Sequence, residues 1–268
     1  METALKNIAT SLMPSLTASR KNRGEAIAVL TAYDYPGAKL LEEAGVDWIL
    51  VGDSLGMVVL GYPDTTSVTM SDMIHHTAAA ARGVSQTPII ADLPIGTYET
   101  ATAAVENARA LLKAGAHAVK LEGGISHSNQ IRALADAGIP VMGHIGMLPQ
   151  KVREEGGYKL KGKTPEQATA LVADAIAIQE AGAFAMIVEL VHSDTARQVQ
   201  ESVRIPTIGI GSGPHCDGQV LVTHDLTGAF PWFRPKFATQ LAHVGESVRN
   251  AAREWIQTLK SRDQNCSK

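Results

Sequence analysis

Cysteine is nearly absent from this 268-residue chain, which has only Cys216 and Cys266. The two stand in no metal-ligand spacing, so a reduced, cytoplasmic setting is the expectation. Long apolar runs are missing too: none approaches the roughly 20 residues of a membrane span. An excess of one charge is also lacking. The net charge is −3 with acids and bases interspersed, which argues against a nucleic-acid or anionic-membrane surface. Residues 1–24 carry Lys6, Arg20, Lys21 and Arg23 but no apolar core with a cleavage signature, so no secretory signal is expected. They read as a leader segment packing on a catalytic domain over 25–268. The chain also has no H-E-x-x-H, no G-x-S-x-G and no P-loop. Gly209, Gly211 and Gly213 form G-x-G-x-G, which lacks the spacing for dinucleotide binding and reads as a tight strand-end loop.

What is present is a large core and a weak repeat. Hydrophobic residues make up 45% of the chain, and the length suits one α/β barrel of about 250 residues. Ala-Gly closes four helical patterns, at Ala44-Gly45, Ala114-Gly115, Ala137-Gly138 and Ala181-Gly182. Each precedes an apolar run, as a glycine-stopped helix before a strand would. The segment after Lys163 opens with Thr164, Pro165 and Gln167, a capping-box arrangement. Eight strands are expected, in AVLTAYD, WILVGDS, PIIADLP, AVKLEGG, PVMGHIG, AMIVELV, PTIGIGSG and, less securely, QVLVTHD. Alternation with helices predicts a (β/α)8 barrel, with a doubly wound open sheet as the runner-up.

The stretch WILVGDSLG ends a fully apolar strand on Asp53 and Ser54. Other predicted strand ends are loaded too: Tyr33 and Asp34, Asp92, Lys120 and Glu122, His144, Glu189, His224 and Asp225. Barrel active sites lie at these ends. Any one of these residues alone reads as a helix cap or a salt-bridge partner; together they are hard to assign to caps. Asp53, Asp92 and Glu122 are hard oxygen ligands that repel one another unless a cation compensates them. With no cysteine and no paired histidine nearby, that set favours Mg²⁺ over Zn²⁺. Lys120 shares a strand face with Glu122, where it either neutralises an anionic substrate or pairs with a neighbouring acid. His75 and His76 are adjacent, so they do not chelate together.

The motifs TAYDYPGAKL, VGDSLGMVVLG, VTMSDMIHHTAAAARG, ADLPIGTY, VKLEGG, GHIGMLPQ, GGYKLKGK and IGIGSGPHCDGQVLVTHDLTG follow one another in order. Together they resemble the ketopantoate hydroxymethyltransferase family, from about Leu30 to Phe237. The resemblance implies a barrel of the phosphoenolpyruvate-mutase and isocitrate-lyase type. It also implies hydroxymethyl transfer from 5,10-methylenetetrahydrofolate to 3-methyl-2-oxobutanoate, giving 2-dehydropantoate in pantothenate and coenzyme A synthesis. By residue, it implies Mg²⁺ on Asp53 and Asp92, completed by Glu122. It implies keto-acid contacts from Asp53, Ser54, Asp92, Lys120 and His144, and a proton acceptor at Glu189. A homodecamer is implied as well, with Leu241, Val244, Val248 and Ala252 on a helix over 236–260 as a candidate contact face.

Two positions depart from the family's usual pattern. Leu148 replaces a hydroxyl-bearing residue, and His192 stands where proline is usual; both affect rim loops. The chemistry agrees with the residues independently: a 2-oxo acid chelates Mg²⁺, the metal stabilises an enolate, and Glu189 is free to act as base. A lyase or mutase of the same superfamily is the nearest rival, and a non-catalytic metabolite-binding protein a more distant one.

Overall fold

Each of the four Ala-Gly pairs ends a helix. Gly45, Gly115, Gly138 and Gly182 all take the left-handed conformation, at φ 82°, 115°, 72° and 101°, which an L side chain rarely adopts. The helices they stop are α1 (Tyr35–Glu43), α4 (Ala101–Ala114), α5 (Ser128–Asp136) and α7 (Pro165–Glu180). In this computed structural model residues 20–265 are described. They form two compact units, one ending at Val220 and the other beginning at Leu221.

The first unit holds the barrel. Strands β1 (Ile27–Thr31), β2 (Trp48–Val51), β3 (Ile89–Asp92), β4 (Ala118–Lys120), β5 (Val141–Gly146), β6 (Ala185–Glu189), β7 (Thr207–Ile210) and β8 (Gly218–Leu221) pair in that order and close. The successive pairings from β1 to β8 are parallel. The expected (β/α)8 barrel is therefore observed, and the open sheet is excluded. The uncertain last strand forms, and Thr223–Thr227 then turns into a short helix, α9.

Period-two alternation divides the strands into two cores. Ile27, Val29, Trp48, Leu50, Ile90, Ala118, Met142, Ile187 and Ile208 fill the barrel interior. The alternate residues, among them Ile49, Val51, Ile89, Val119, Val141 and Val188, pack outward with Ala108, Leu111, Ile131, Leu134 and Ile178 of the surrounding helices. Remaining helices of this unit are α2 (Leu55–Val58), α3 (Met70–Ala81), α6 (Val152–Glu155) and α8 (Ser193–Ser202).

Three details differ from expectation. The Thr164 side chain caps α7 by accepting from Gln167 N at 3.4 Å, but Gln167 returns its bond to Lys163 N at 2.9 Å rather than to Thr164. In the second unit the last helix, α10, runs Val244–Asn265 and not from 236, so Leu241 precedes it. Of the expected leader, residues 1–19 lie outside the described residues; Lys21 donates to the carbonyls of Gln200, Val203 and Ile205 and pairs with Asp217 at 3.1 Å. Among the described residues no helix is long and apolar enough to cross a membrane.

Candidate active site

The inward face of four strands, β3 to β6, continues past the apolar interior into ionisable residues. Ile90 is followed two positions on by Asp92, Ala118 by Lys120 and then Glu122, Met142 by His144, and Ile187 by Glu189. The same alternation that fills the barrel with aliphatics thus brings four strands' polar groups together at one end. Asp53 arrives differently. After β2 the chain turns, and Asp53 N donates to Asp92 Oδ2 at 3.0 Å. A side chain on Gly52 would meet Ser54 Oγ at 2.9 Å and Asp92 Oδ2 at 3.5 Å, so glycine leaves both oxygens undisturbed.

Lys120 sits among the acids, its Nζ 3.1 Å from Asp92 Oδ2 and 3.4 Å from His144 Nδ1. His144 Nε2 lies 3.2 Å from Glu189 Oε2, and its Nδ1 lies 3.6 Å from Glu122 Oε1. Tyr33 shares a hydrogen bond with Ser54 Oγ at 2.8 Å. Asp53, Asp92, Lys120, Glu122, His144 and Glu189 are all buried.

Burial of so many acids raises their proton affinity. Desolvation first, then the Asp92 charge, pushes Asp53 up to about 7. Desolvation raises Asp92 and carries Glu122 well above its usual range. Glu189 is pushed up to about 8, mainly by burial. Burial alone would lower Lys120, but Asp92, Glu122 and Asp53 outweigh it and keep the ammonium charged. His144 is held well below its usual value by burial and by Lys120. It is therefore neutral, and its Nε2, although 3.2 Å from Glu189 Oε2, makes no hydrogen bond.

One lysine does not balance four carboxylates, so without a further cation these acids tend to hold protons. Among the described residues no three His, Cys, Asp or Glu side chains gather at metal-ligand spacing. Two buried oxygens, Asp92 Oδ1 and Glu122 Oε1, nevertheless have no hydrogen-bond partner. Unpartnered hard oxygens in an over-acidic pocket fit a hard divalent cation held by few protein ligands.

The loop after β5 supplies residues that the sequence reading missed. Gln150 Nε2 donates to Asp53 Oδ2 at 2.8 Å and to Leu93 O at 3.0 Å, while its backbone N–H donates to Glu122 Oε2 at 3.1 Å. Tyr98 donates to Gln150 Oε1 at 2.5 Å. Arg153 grips Asp64 with two bonds, and the Tyr158 hydroxyl reaches Met57 Sδ at 3.8 Å. Lys161 N then donates to Leu190 O, and His192 N to Lys161 O, at 2.7 and 2.8 Å. Strands β2 and β6 are four places apart in an eight-strand ring, so the loop reaches to opposite sides of the mouth. A proline at 192 could not make the His192 bond, which gives that departure a structural consequence. The signal for Gln150 was its place in GHIGMLPQ, but a loop glutamine has no periodicity to mark it.

Other expected residues lie elsewhere. Asp34 is an exposed cap of α1, accepting from Gly37 N at 2.7 Å. His224 and Asp225 belong to α9 in the second unit. His75 is exposed, and His76 Nδ1 faces Tyr33 O at 2.7 Å.

A family model described as ketopantoate hydroxymethyltransferase matches residues 13–264. The chain belongs to that family. It is 52% identical over 239 residues to the 3-methyl-2-oxobutanoate hydroxymethyltransferase of Ignicoccus hospitalis, covering 89% of this chain and 90% of that one. Against the enzyme of the same name from Acetivibrio thermocellus it is 51% identical, with 90% and 86% covered. The chain is accordingly a transferase, its family name implies a 2-oxo acid substrate, and the lyase or mutase reading is not favoured. The fold is shared more widely. A phosphonopyruvate hydrolase solved with oxalate and Mg²⁺ superposes with a TM-score of 0.62 at 17% identity, over 96% of this chain and 87% of that one. A 2,3-dimethylmalate lyase of the phosphoenolpyruvate mutase and isocitrate lyase superfamily gives 0.61 at 19%, over 92% and 87%.

Proposed function

We propose that the one-carbon donor is 5,10-methylenetetrahydrofolate, that Glu189 is the catalytic base, and that Asp53 and Asp92 hold Mg²⁺ with Glu122 completing the site through water. The observation that carries this reading is a division of the mouth. The paired acids and Lys120 come from the ends of β2, β3 and β4, while Glu189 comes from β6 and has His144 as its neighbour. One side suits the carboxylate and keto oxygen of the 2-oxo acid, and the other suits its C3 hydrogen.

Bound there, the cation supplies Lewis-acid polarisation of the keto group. Lys120 places a fixed positive charge beside the substrate carboxylate, and Ser54 and His144 add polar contacts. Glu189 accepts the C3 proton, the C–H electron pair moves into the C2–C3 bond, and the C2–O π pair moves onto the keto oxygen. His144 lies beside the Glu189 carboxylate and keeps its own protonation throughout. The C2–O pair then returns as C3 bonds to the methylene carbon of the folate and water supplies the hydroxyl oxygen; both C–N bonds of that carbon break, their electron pairs go to the folate nitrogens, and those nitrogens take up one proton from the water and the one removed from C3. No covalent enzyme intermediate is needed.

A transfer assay tests this directly. Purified protein with 3-methyl-2-oxobutanoate, methylenetetrahydrofolate and Mg²⁺ should form 2-dehydropantoate, and exhaustive chelation should abolish it. Full activity after chelation would remove the metal assignment. Absence of product with this donor would remove the folate.

We also propose assembly into a homodecamer, with the α10 surface as a contact. Val244 and Val248 of α10 are 41% and 64% exposed, and Leu241, which precedes the helix, is 76% exposed; grouped exposed apolar residues of this kind mark protein contacts. Light scattering should report ten copies; a monomer at micromolar concentration would end this proposal.

A further inference from the structure

Each of the three acids offers the site one oxygen that a protein donor already holds. Asp92 Oδ2 takes Lys120 Nζ and Asp53 N, leaving Oδ1 buried without a partner. Glu122 Oε2 takes the backbone N–H of Gln150, leaving Oε1 in the same condition. Asp53 Oδ2 takes the side-chain amide of Gln150. One loop residue therefore fixes two of the three carboxylates, although it lies 97 positions from Asp53 and 28 from Glu122.

The amide is itself fixed. Its nitrogen faces a carboxylate oxygen and the Leu93 carbonyl, both acceptors only. Its oxygen faces the hydroxyl of Tyr98. A flipped amide would set oxygen against two acceptors, so one orientation survives. Tyr98 is buried and packs edge-on against His127, with ring centroids 5.3 Å apart, so the hydroxyl has little freedom to leave.

We infer that Gln150 is a positioning residue: oriented by Tyr98, it sets the carboxylates of Asp53 and Glu122 so that their remaining oxygens face the cation. This rests on the reading of Asp53, Asp92 and Glu122 as the Mg²⁺ site. Its physical basis is that ligands held by outer hydrogen bonds bind without first being reoriented, and loss of such partners typically costs about 10–100-fold in metal affinity or activity. A residue that merely anchored the loop would change stability and leave affinity for the ion alone.

The test uses Gln150→Met, which keeps length but removes both amide functions, Tyr98→Phe, which removes only the hydroxyl, and the double variant. Mg²⁺ binding is measured by calorimetry, with thermal midpoints and the kcat and KM of transfer recorded alongside. Gln150→Met should weaken Mg²⁺ binding about ten-fold or more and lower kcat. Tyr98→Phe should weaken binding by a few-fold, and it serves as the readout if Gln150→Met does not fold. The double variant should bind little more weakly than Gln150→Met alone, because the hydroxyl acts chiefly through the amide at 2.5 Å and only by a long 3.5 Å contact on the Glu122 carbonyl. Wild type that binds Mg²⁺ together with single variants that bind it equally well would overturn the inference alone. Losses that multiply in the double variant would overturn the role given to Tyr98. Wild type that binds no Mg²⁺ would overturn the reading of the three acids and this inference with it.

Discussion

His144 Nε2 stands 3.2 Å from Glu189 Oε2, on neighbouring strands whose register pairs His144 with Ile187 two residues earlier. The pair joins a histidine held neutral to a carboxyl pushed up to about 8. A polar imidazole beside a carboxylate solvates its ionised form better than a hydrocarbon ring does. His144→Phe should therefore raise the Glu189 pKa further and move the acidic limb of the pH–rate profile to higher pH. Less Glu189 is then ionised at neutral pH, so kcat/KM there should fall. An unmoved limb would show that the two do not interact.

Glu189 should also weaken the fold it serves. Its folded pKa is raised from 4.5 to about 8, so the associated stability is complete below the unfolded value and is lost as pH rises through 8. Glu189→Gln cannot ionise. Compared by urea unfolding with chelator present, the variant should gain on wild type between pH 5 and 9, by on the order of 3 kcal/mol. A constant difference across that range would contradict the assignment.

Glu42 should behave in the opposite sense. Burial works against its charge, but the backbone N–H groups of Gln86, Thr87 and Ser85 lower it to about 2. That stability is present above the ordinary carboxyl pKa and disappears as pH falls through about 2. Glu42→Gln should destabilise by about 1–3 kcal/mol at pH 7, and the two proteins should converge near pH 2. The loop from Ser85 to Thr87 leads into β3, so the loss is local to that approach.

Much of this was legible in the sequence, and the rest was hidden for a physical reason. Ala-Gly followed by an apolar run marks helix stop and strand start because both signals are local. Asp92, Lys120, Glu122, His144 and Glu189 could be placed together because strand alternation and barrel closure carry them to one end. Gln150 and Tyr158 could not, since a loop reaching from one side of a barrel to the other follows no period. The Gln167 bond to Lys163 shows the same limit on a smaller scale: motif spacing gave the cap but not which N–H it would choose.

Gly146 should tolerate no side chain. It has φ 97°, and a Cβ there would meet the Glu189 carbonyl oxygen at 2.2 Å. Gly146 and Glu189 are register partners between β5 and β6, so relief of that contact must move the strand end that carries the base. Gly146→Ala should destabilise the protein by roughly 1–3 kcal/mol from backbone strain alone and should lower kcat more than it raises KM. Equal kcat in a folded variant would show that the position of Glu189 is looser than the geometry implies.

The central claim is that Glu189 removes the C3 proton without help from the folate. Proton NMR of 3-methyl-2-oxobutanoate in D₂O, with enzyme and Mg²⁺ but no folate, tests it most directly. The C3 proton should exchange with wild type. With Glu189→Gln, exchange should fall by at least about 100-fold, the lower end of a general-base contribution, while the keto acid still binds. Undiminished exchange by Glu189→Gln would contradict the account and assign the proton to another group.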